Sequence, residues 1–224
     1  MPHHAEDERH ALAETLRQAG PAAPTLCGDW TTAQLAAHLV LRERSVVELG
    51  GRLPVPALRR RAAAAVARLA AEQPYQRLVE QVDAGPHWRE VRGPVPTAWL
   101  WALPPVREAV NLLEYLIHHE DVRRAGPQWR PRPLSAEVHA AVWTRLRPMA
   151  RLTLRPVPVG LVLSAPGHGA LRTARARSTG RAVTVVGPPV ELAMLAFGRI
   201  EQARVEWVGT RADVAAVRSA DISV

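Results

Sequence analysis

The sequence predicts a mainly α-helical N-terminal portion, residues 1–154, followed by a small α+β domain, residues 155–224. Three observations predict it. Up to about Leu152, apolar residues recur three and four apart in segments divided by Pro- and Gly-rich connections, which is the period of amphipathic helices. One of those segments is apolar round most of its circumference, as a helix inside a bundle must be. Beyond Arg155 the texture changes to short β-branched or alternating runs bounded by Gly and Pro.

The elements follow in order. Glu6 to Gln18, with Ala11, Leu12, Leu16 and then Ala19 apolar, predicts a first helix that Gly20-Pro21 ends. Thr31-Thr-Ala-Gln34 has the form of a capping box, Thr31 accepting from the Gln34 amide while the Gln34 side chain reaches back. It predicts a second helix to about Leu49, stopped by Gly50-Gly51. There Leu35, His38, Leu39 and Arg42 stand three and four apart, so His38 belongs to the inward stripe or its edge. Ala57 to about Val82 predicts a third helix with a break at Pro74, and Asp83 to Pro105, with Trp88, Trp99 and Trp101, a long ordered connection. The next helix begins after Pro104-Pro105 and stops at Gly126-Pro127. Val106, Val110, Leu113 and Ile117 line one side of it, and Leu112 and Leu116 the other. Ser135 caps a further helix to about Leu152, with Glu137 in its first turn. Val157 to Ser164, Arg181 to Val186 and Ala203 to Val208 read as strands, and Pro189 to Gly198 and Arg211 to Ser219 as short helices.

Composition bounds the function. A chain of 224 residues with 47% apolar content can bury a substantial core. No run approaches the roughly 18 to 20 uninterrupted apolar residues that cross a bilayer, and the N-terminus lacks a signal peptide's apolar core, so the expected location is the cytoplasm. The single cysteine, Cys27, excludes an internal disulfide and a multi-cysteine zinc site. It precedes Gly28-Asp29 in a loop, with no base that spacing places beside it, and reads as a small buried residue. The net charge of +8 raises the question of nucleic acid, but all 29 basic residues are Arg, with one Asn and one Phe in the chain. That bias tracks GC-rich codons. Arg59-Arg-Arg61 has no interleaved aromatics to stack on bases and reads as a solvated helix face.

The chemistry lies in Glu114-Tyr-Leu-Ile-His118. Residues four apart stand one above the other on a helix, with side-chain roots about 6 Å apart, so both heads can converge on an ion at about 2.0 to 2.2 Å. Alone, such a pair reads as a helix-surface contact worth a few tenths of a kcal/mol. Here the helix is apolar on most sides, where an unpaired Glu would cost several kcal/mol. An ion with His38 as third ligand removes that cost, and three protein ligands leave the open position that catalysis needs. His119 points about 100° away from His118 and stays outside the set. Asp121, three residues beyond His118, is placed to orient a ligand from outside the coordination sphere or to pair with Arg124 or Arg42. His3, His4, His10, His87, His139 and His168 share no spacing with a second partner and read as surface histidines.

Two segments, Gly28-Asp-Trp30-Thr-Thr-Ala-Gln-Leu-Ala-Ala-His38-Leu-Val and Leu113-Glu114-Tyr-Leu-Ile-His118-His-Glu-Asp121-Val, resemble the DinB-like metal-binding domain of the mycothiol-dependent maleylpyruvate isomerase family of actinobacteria. The run from Gly180 to Arg199 is similar to the sterol-carrier-like α+β domain that follows the bundle in that family. The resemblance implies a four-helix bundle and metal ligands at His38, Glu114 and His118. It also implies that Arg199 faces an anionic thiol cofactor or substrate; the alternative for Arg199 is a charge favoured at a helix C-terminus.

The expected protein is therefore a metal-binding, mycothiol-dependent transferase or isomerase. A zinc ion, or else nickel, iron or manganese, would take the cofactor thiol and lower its pKa so that the sulfur attacks an electrophile. Its expected partners are a small thiol and an electrophilic substrate, without nucleic acid or membrane, and its expected state is a monomer or homodimer. The alternative is a non-catalytic metal-binding or stress-sensing protein whose ion stabilises the bundle. The substrate itself is not written in the sequence.

Overall fold

Eight helices and one four-stranded sheet form among the residues that the computed structural model describes, which are 3–44, 55–85, 104–173, 175–176 and 182–222. The side chains of 44 and 104–110 are outside that description, as are the predicted end of the second helix, His87, and the connection with its tryptophans at 88, 99 and 101. The chain divides into two units, Met1–Arg130 and Pro131–Val224.

The first unit is all helical: α1 (His4–Ala19), α2 (Thr32–Arg44), α3 (Pro56–Glu72), α4 (Tyr75–Ala84) and α5 (Pro104–Arg123). The expected break in the third helix separates α3 from α4. Gln73, preceding Pro74, is extended at φ −105° and ψ 140°, as steric clash with a following proline ring requires. The Pro74 carbonyl then opens α4 by accepting from the amides of Arg77 and Leu78 at 2.9 and 3.2 Å. At the start of α2 the reaching-back half of the capping box forms, Thr31 N–H donating to Gln34 Oε1 at 3.0 Å. α1 packs along α5 and α4, and α2 packs on α3 and α4. The core between them is Leu12, Leu16, Leu35, Leu39, Leu78, Leu112 and Leu116, all fully buried. From Asn111 to Val122, α5 buries every residue, Glu114 and His118 slightly less completely than the rest. This matches a helix apolar on most sides. Among the described residues no helix is long and apolar enough to cross a membrane.

The second unit is α+β: α6 (Ala136–Thr153), β1 (Leu161–Ala165), β2 (Gly169–Arg172), β3 (Val183–Val186), α7 (Pro189–Ala196), β4 (Glu206–Val208) and α8 (Arg211–Arg218). The sheet order is β2-β1-β3-β4. β1 and β2 form an antiparallel hairpin with Leu163 opposite Leu171, β1 and β3 are parallel, and β4 is antiparallel to β3. Ser135 caps α6 as expected, accepting from Val138 N–H at 3.3 Å. The expected boundary at 154/155 placed α6 with the N-terminal bundle. The two packing units instead divide at Arg130/Pro131, ahead of α6, which carries a buried stripe of Val142, Leu146 and Ala150 and packs against α7, all of whose eight residues are buried.

One glycine here is required by its surroundings. Gly198, closing the turn after α7, has φ +85°, and a Cβ there would overlap the Ile222 carbonyl oxygen. Gly198→Ala is therefore expected to destabilise the protein by about 2 kcal/mol or more. An unchanged thermal midpoint would show that this backbone approach is not maintained in solution.

Candidate metal centre

Polar contacts tie α2 to α5 and fix where their side chains meet. Arg42 Nη1 donates to Asn111 Oδ1 at 2.9 Å, the Tyr115 hydroxyl donates to Glu43, and His38 approaches Glu114. The first two lie within about a turn of the third, and they hold α2 against α5 through groups outside the His38, Glu114 and His118 set.

At that meeting point His38 Nε2 lies 3.5 Å and His118 Nε2 3.4 Å from the same oxygen, Glu114 Oε1. The three donor atoms all fall within 4.8 Å of one another. Donors held about 2.0 to 2.2 Å from one ion at a near-tetrahedral angle stand about 3.4 Å apart, and both nitrogen-to-oxygen separations are close to that value. The imidazoles meet edge to face, 5.2 Å between centroids, and the Trp30 ring also lies 5.2 Å from that of His38. Arg42 Nε is 3.1 Å from Glu114 Oε1, and both side chains are about nine-tenths buried at 9% and 11% exposure. Burial alone would raise the Glu114 carboxyl, but the Arg42 guanidinium and the two imidazoles outweigh it and hold the group well below the usual carboxylate range. Glu114 is thus an anion ready to meet a cation.

The other edge of the His118 ring is equally specified. His118 Nδ1 lies 3.0 Å from Asp121 Oδ2, and Asp121 is fully buried. With Nδ1–H donated to Asp121, the lone pair of a neutral ring sits on Nε2, toward Glu114 and His38; this is the carboxylate–histidine arrangement that sets tautomer and ring orientation in metal sites. Burial would lower the His118 pKa, but Cys27, Asp121 and Glu114 together hold it well above the ordinary histidine value. The pocket favours positive charge at this ring.

Sequence spacing assigned Cys27 no base, and here the structure corrects that reading. Its sulfur lies 3.0 Å from Asp121 Oδ2 and 3.6 Å from His118 Nδ1. The loop between α1 and α2 folds back on α5: Leu26 N–H donates to the Asp121 carbonyl at 3.1 Å, and the Thr25 hydroxyl to the Trp30 carbonyl at 2.8 Å. Gly28, at φ +61°, makes the tight turn that carries Cys27 there. The contact spans 91 residues of chain, so helical spacing gave no signal for it.

The remaining predicted residues, apart from Asp121, fall elsewhere. Asp121 faces His118, while Arg124 pairs with Glu120 at 2.6 Å and Arg42 with Glu114. His119 is buried on another side of α5, its Nδ1 2.7 Å from Glu8 Oε1 and its Nε2 2.7 Å from Thr15 Oγ1. That links α5 to α1. Arg199 lies in the second unit, where it donates to the Phe197 carbonyl. His3 and His10 are exposed, His10 bonding to Asp83. His139 and His168 depart from the surface reading, being partly buried neighbours with ring centroids 6.4 Å apart.

A family model described as the mycothiol maleylpyruvate isomerase N-terminal domain matches residues 3–123, more than half of the chain. That span covers the whole donor set. Searches of curated proteins and of solved structures found no match.

Proposed function

We propose a metal-dependent, thiol-handling function for this chain, which belongs to the mycothiol maleylpyruvate isomerase N-terminal domain family. The observation that carries the proposal is the convergence of His38 Nε2, His118 Nε2 and Glu114 Oε1, from two helices, at the spacing one divalent ion requires. A divalent ion held there, zinc or else nickel, iron or manganese, supplies a Lewis-acid position that acidifies a bound thiol. The two imidazoles and the carboxylate would hold the ion, and three protein ligands are the number that catalytic sites use. Asp121 keeps the proton of His118 on Nδ1. Arg42 holds Glu114 ionised and fixes the direction of its carboxylate. The family description points to a mycothiol-type thiol as cofactor, and we read the reaction as an isomerisation or a group transfer on an electrophile.

Metal analysis of the purified protein tests the ligand set. Wild type is expected to hold a divalent ion that His38→Ala and Glu114→Ala mostly lose; equal metal in all three overturns the assignment. The thiol reading is tested on cobalt-loaded protein in a Cys27→Ser background, so that any cobalt–sulfur charge-transfer band reports an added thiol. Its appearance on adding mycothiol supports the enzyme. An ion that raises the unfolding temperature without admitting a thiol supports instead the non-catalytic reading, a metal that only braces the helices.

A further inference from the structure

The geometry points to a second, mutually exclusive metal site for thiophilic ions on the opposite edge of His118, built from Cys27 Sγ, His118 Nδ1 and Asp121 Oδ2. These three atoms also lie within 4.8 Å of one another. Their separations are 3.0 Å from sulfur to carboxylate, 3.6 Å from sulfur to nitrogen and 3.0 Å from nitrogen to carboxylate. Donors at about 2.0 to 2.3 Å from an ion subtend such distances at angles between square and tetrahedral, so the set needs little rearrangement to close on a cation.

The donor chemistry differs from that of the first site. Cys27 supplies a soft sulfur, which selects cadmium, copper(I) or zinc over manganese and other hard ions. With the thiol proton released to solvent on binding, two anionic donors, Cys27 and the fully buried Asp121, face the ion. In the first site the one anionic donor, Glu114, already shares its charge with Arg42 at 3.1 Å. A thiophilic dication is therefore drawn to the cysteine edge. His118 makes the two sites alternatives. A neutral imidazole has one lone pair and one N–H, so the ring offers Nε2 to the first site or Nδ1 to the second, and the opposite nitrogen then donates its proton to Asp121 or to Glu114. Occupation of the cysteine edge by a thiophilic ion thus disables the site at His38 and Glu114. The exclusivity rests on the ligand reading above; the cysteine site itself does not.

The test titrates cadmium into the metal-free full chain and follows the ultraviolet thiolate-to-cadmium band. Cys27 is the only cysteine, so the band has a single source. Wild type and His38→Ala are expected to show it, saturating at one ion per chain. Cys27→Ser is expected to lack it while still taking up zinc, and Asp121→Asn to weaken cadmium binding by about 10-fold or more. Cadmium bound without the band, or a band midpoint unmoved by Asp121→Asn and by His118→Ala, overturns the site. Zinc and cadmium held together at two ions per chain with the band intact overturn the exclusivity. A wild type that shows the band yet fails to bind zinc at His38 and Glu114 leaves this site standing and removes the first.

Discussion

Replacing Arg42 with methionine is expected to lower the stability of the metal-free protein by about 3 to 5 kcal/mol, most of which a saturating divalent ion should restore. Glu114 is about nine-tenths buried, and the Arg42 guanidinium is the strongest of the neighbours that keep its carboxyl ionised. Methionine keeps much of the arginine stem's volume but removes the charge, and the carboxylate then bears its burial with less compensation. A cation held by His38, Glu114 and His118 replaces the missing charge at the same oxygen. By linkage the variant must gain more from the ion than wild type does, since Arg42 and the ion compete for Glu114. Urea unfolding in chelator and in zinc measures both halves. If the two proteins differ as much with zinc as without it, Arg42 is not balancing the charge of Glu114.

Glu120→Ala is expected to cost about 3 to 5 kcal/mol irrespective of metal. Glu120 and Arg124 are each 1% exposed at the end of α5, Nε to Oε2 at 2.6 Å, and Arg123 donates to both Glu120 oxygens at 3.0 and 3.1 Å. The Arg124 guanidinium also lies 4.4 Å over the Trp129 ring, and Arg123 reaches the Arg130 carbonyl at 3.2 Å. One carboxylate thus anchors both arginines and, through them, the segment that follows the helix. Glu120→Gln keeps the shape and part of the hydrogen bonding and should lose clearly less. A Glu120→Ala loss within about 0.5 kcal/mol, the range of ordinary surface changes, would show that the pair does not hold this end of α5.

Much of the site was legible because it is written along helices. Glu114 and His118 are neighbours by the helical period alone, and His38 stands on the inward edge of α2 by the same period. Arg42, one turn beyond His38, was equally visible as a member of that stripe, but its role at Glu114 was not, since spacing within α2 says nothing about what α5 presents. β2 escaped notice because Gly169-Ala-Leu-Arg172 has no β-branched residue and is a strand only through its pairing with β1. α6 was legible as a helix with a capped start, and its amphipathic stripe required a partner. Nothing in a stripe names that partner, and the packing against α7 placed it in the second unit.

By itself the sequence determined the helices and their breaks, the change to an α+β texture near residue 155, and the two helical segments that carry His38, Glu114 and His118. These are local properties, fixed by propensity, period and capping within a few residues. Only the tertiary structure decided what stands on each edge of His118. It brought Cys27 from 91 residues away to the Nδ1 side and Arg42 onto the Glu114 oxygen that both imidazoles share. The physical reason is that a side chain's protonation, charge balance and choice of ion depend on groups within a few ångströms, and a folded chain chooses those neighbours without regard to their distance in sequence.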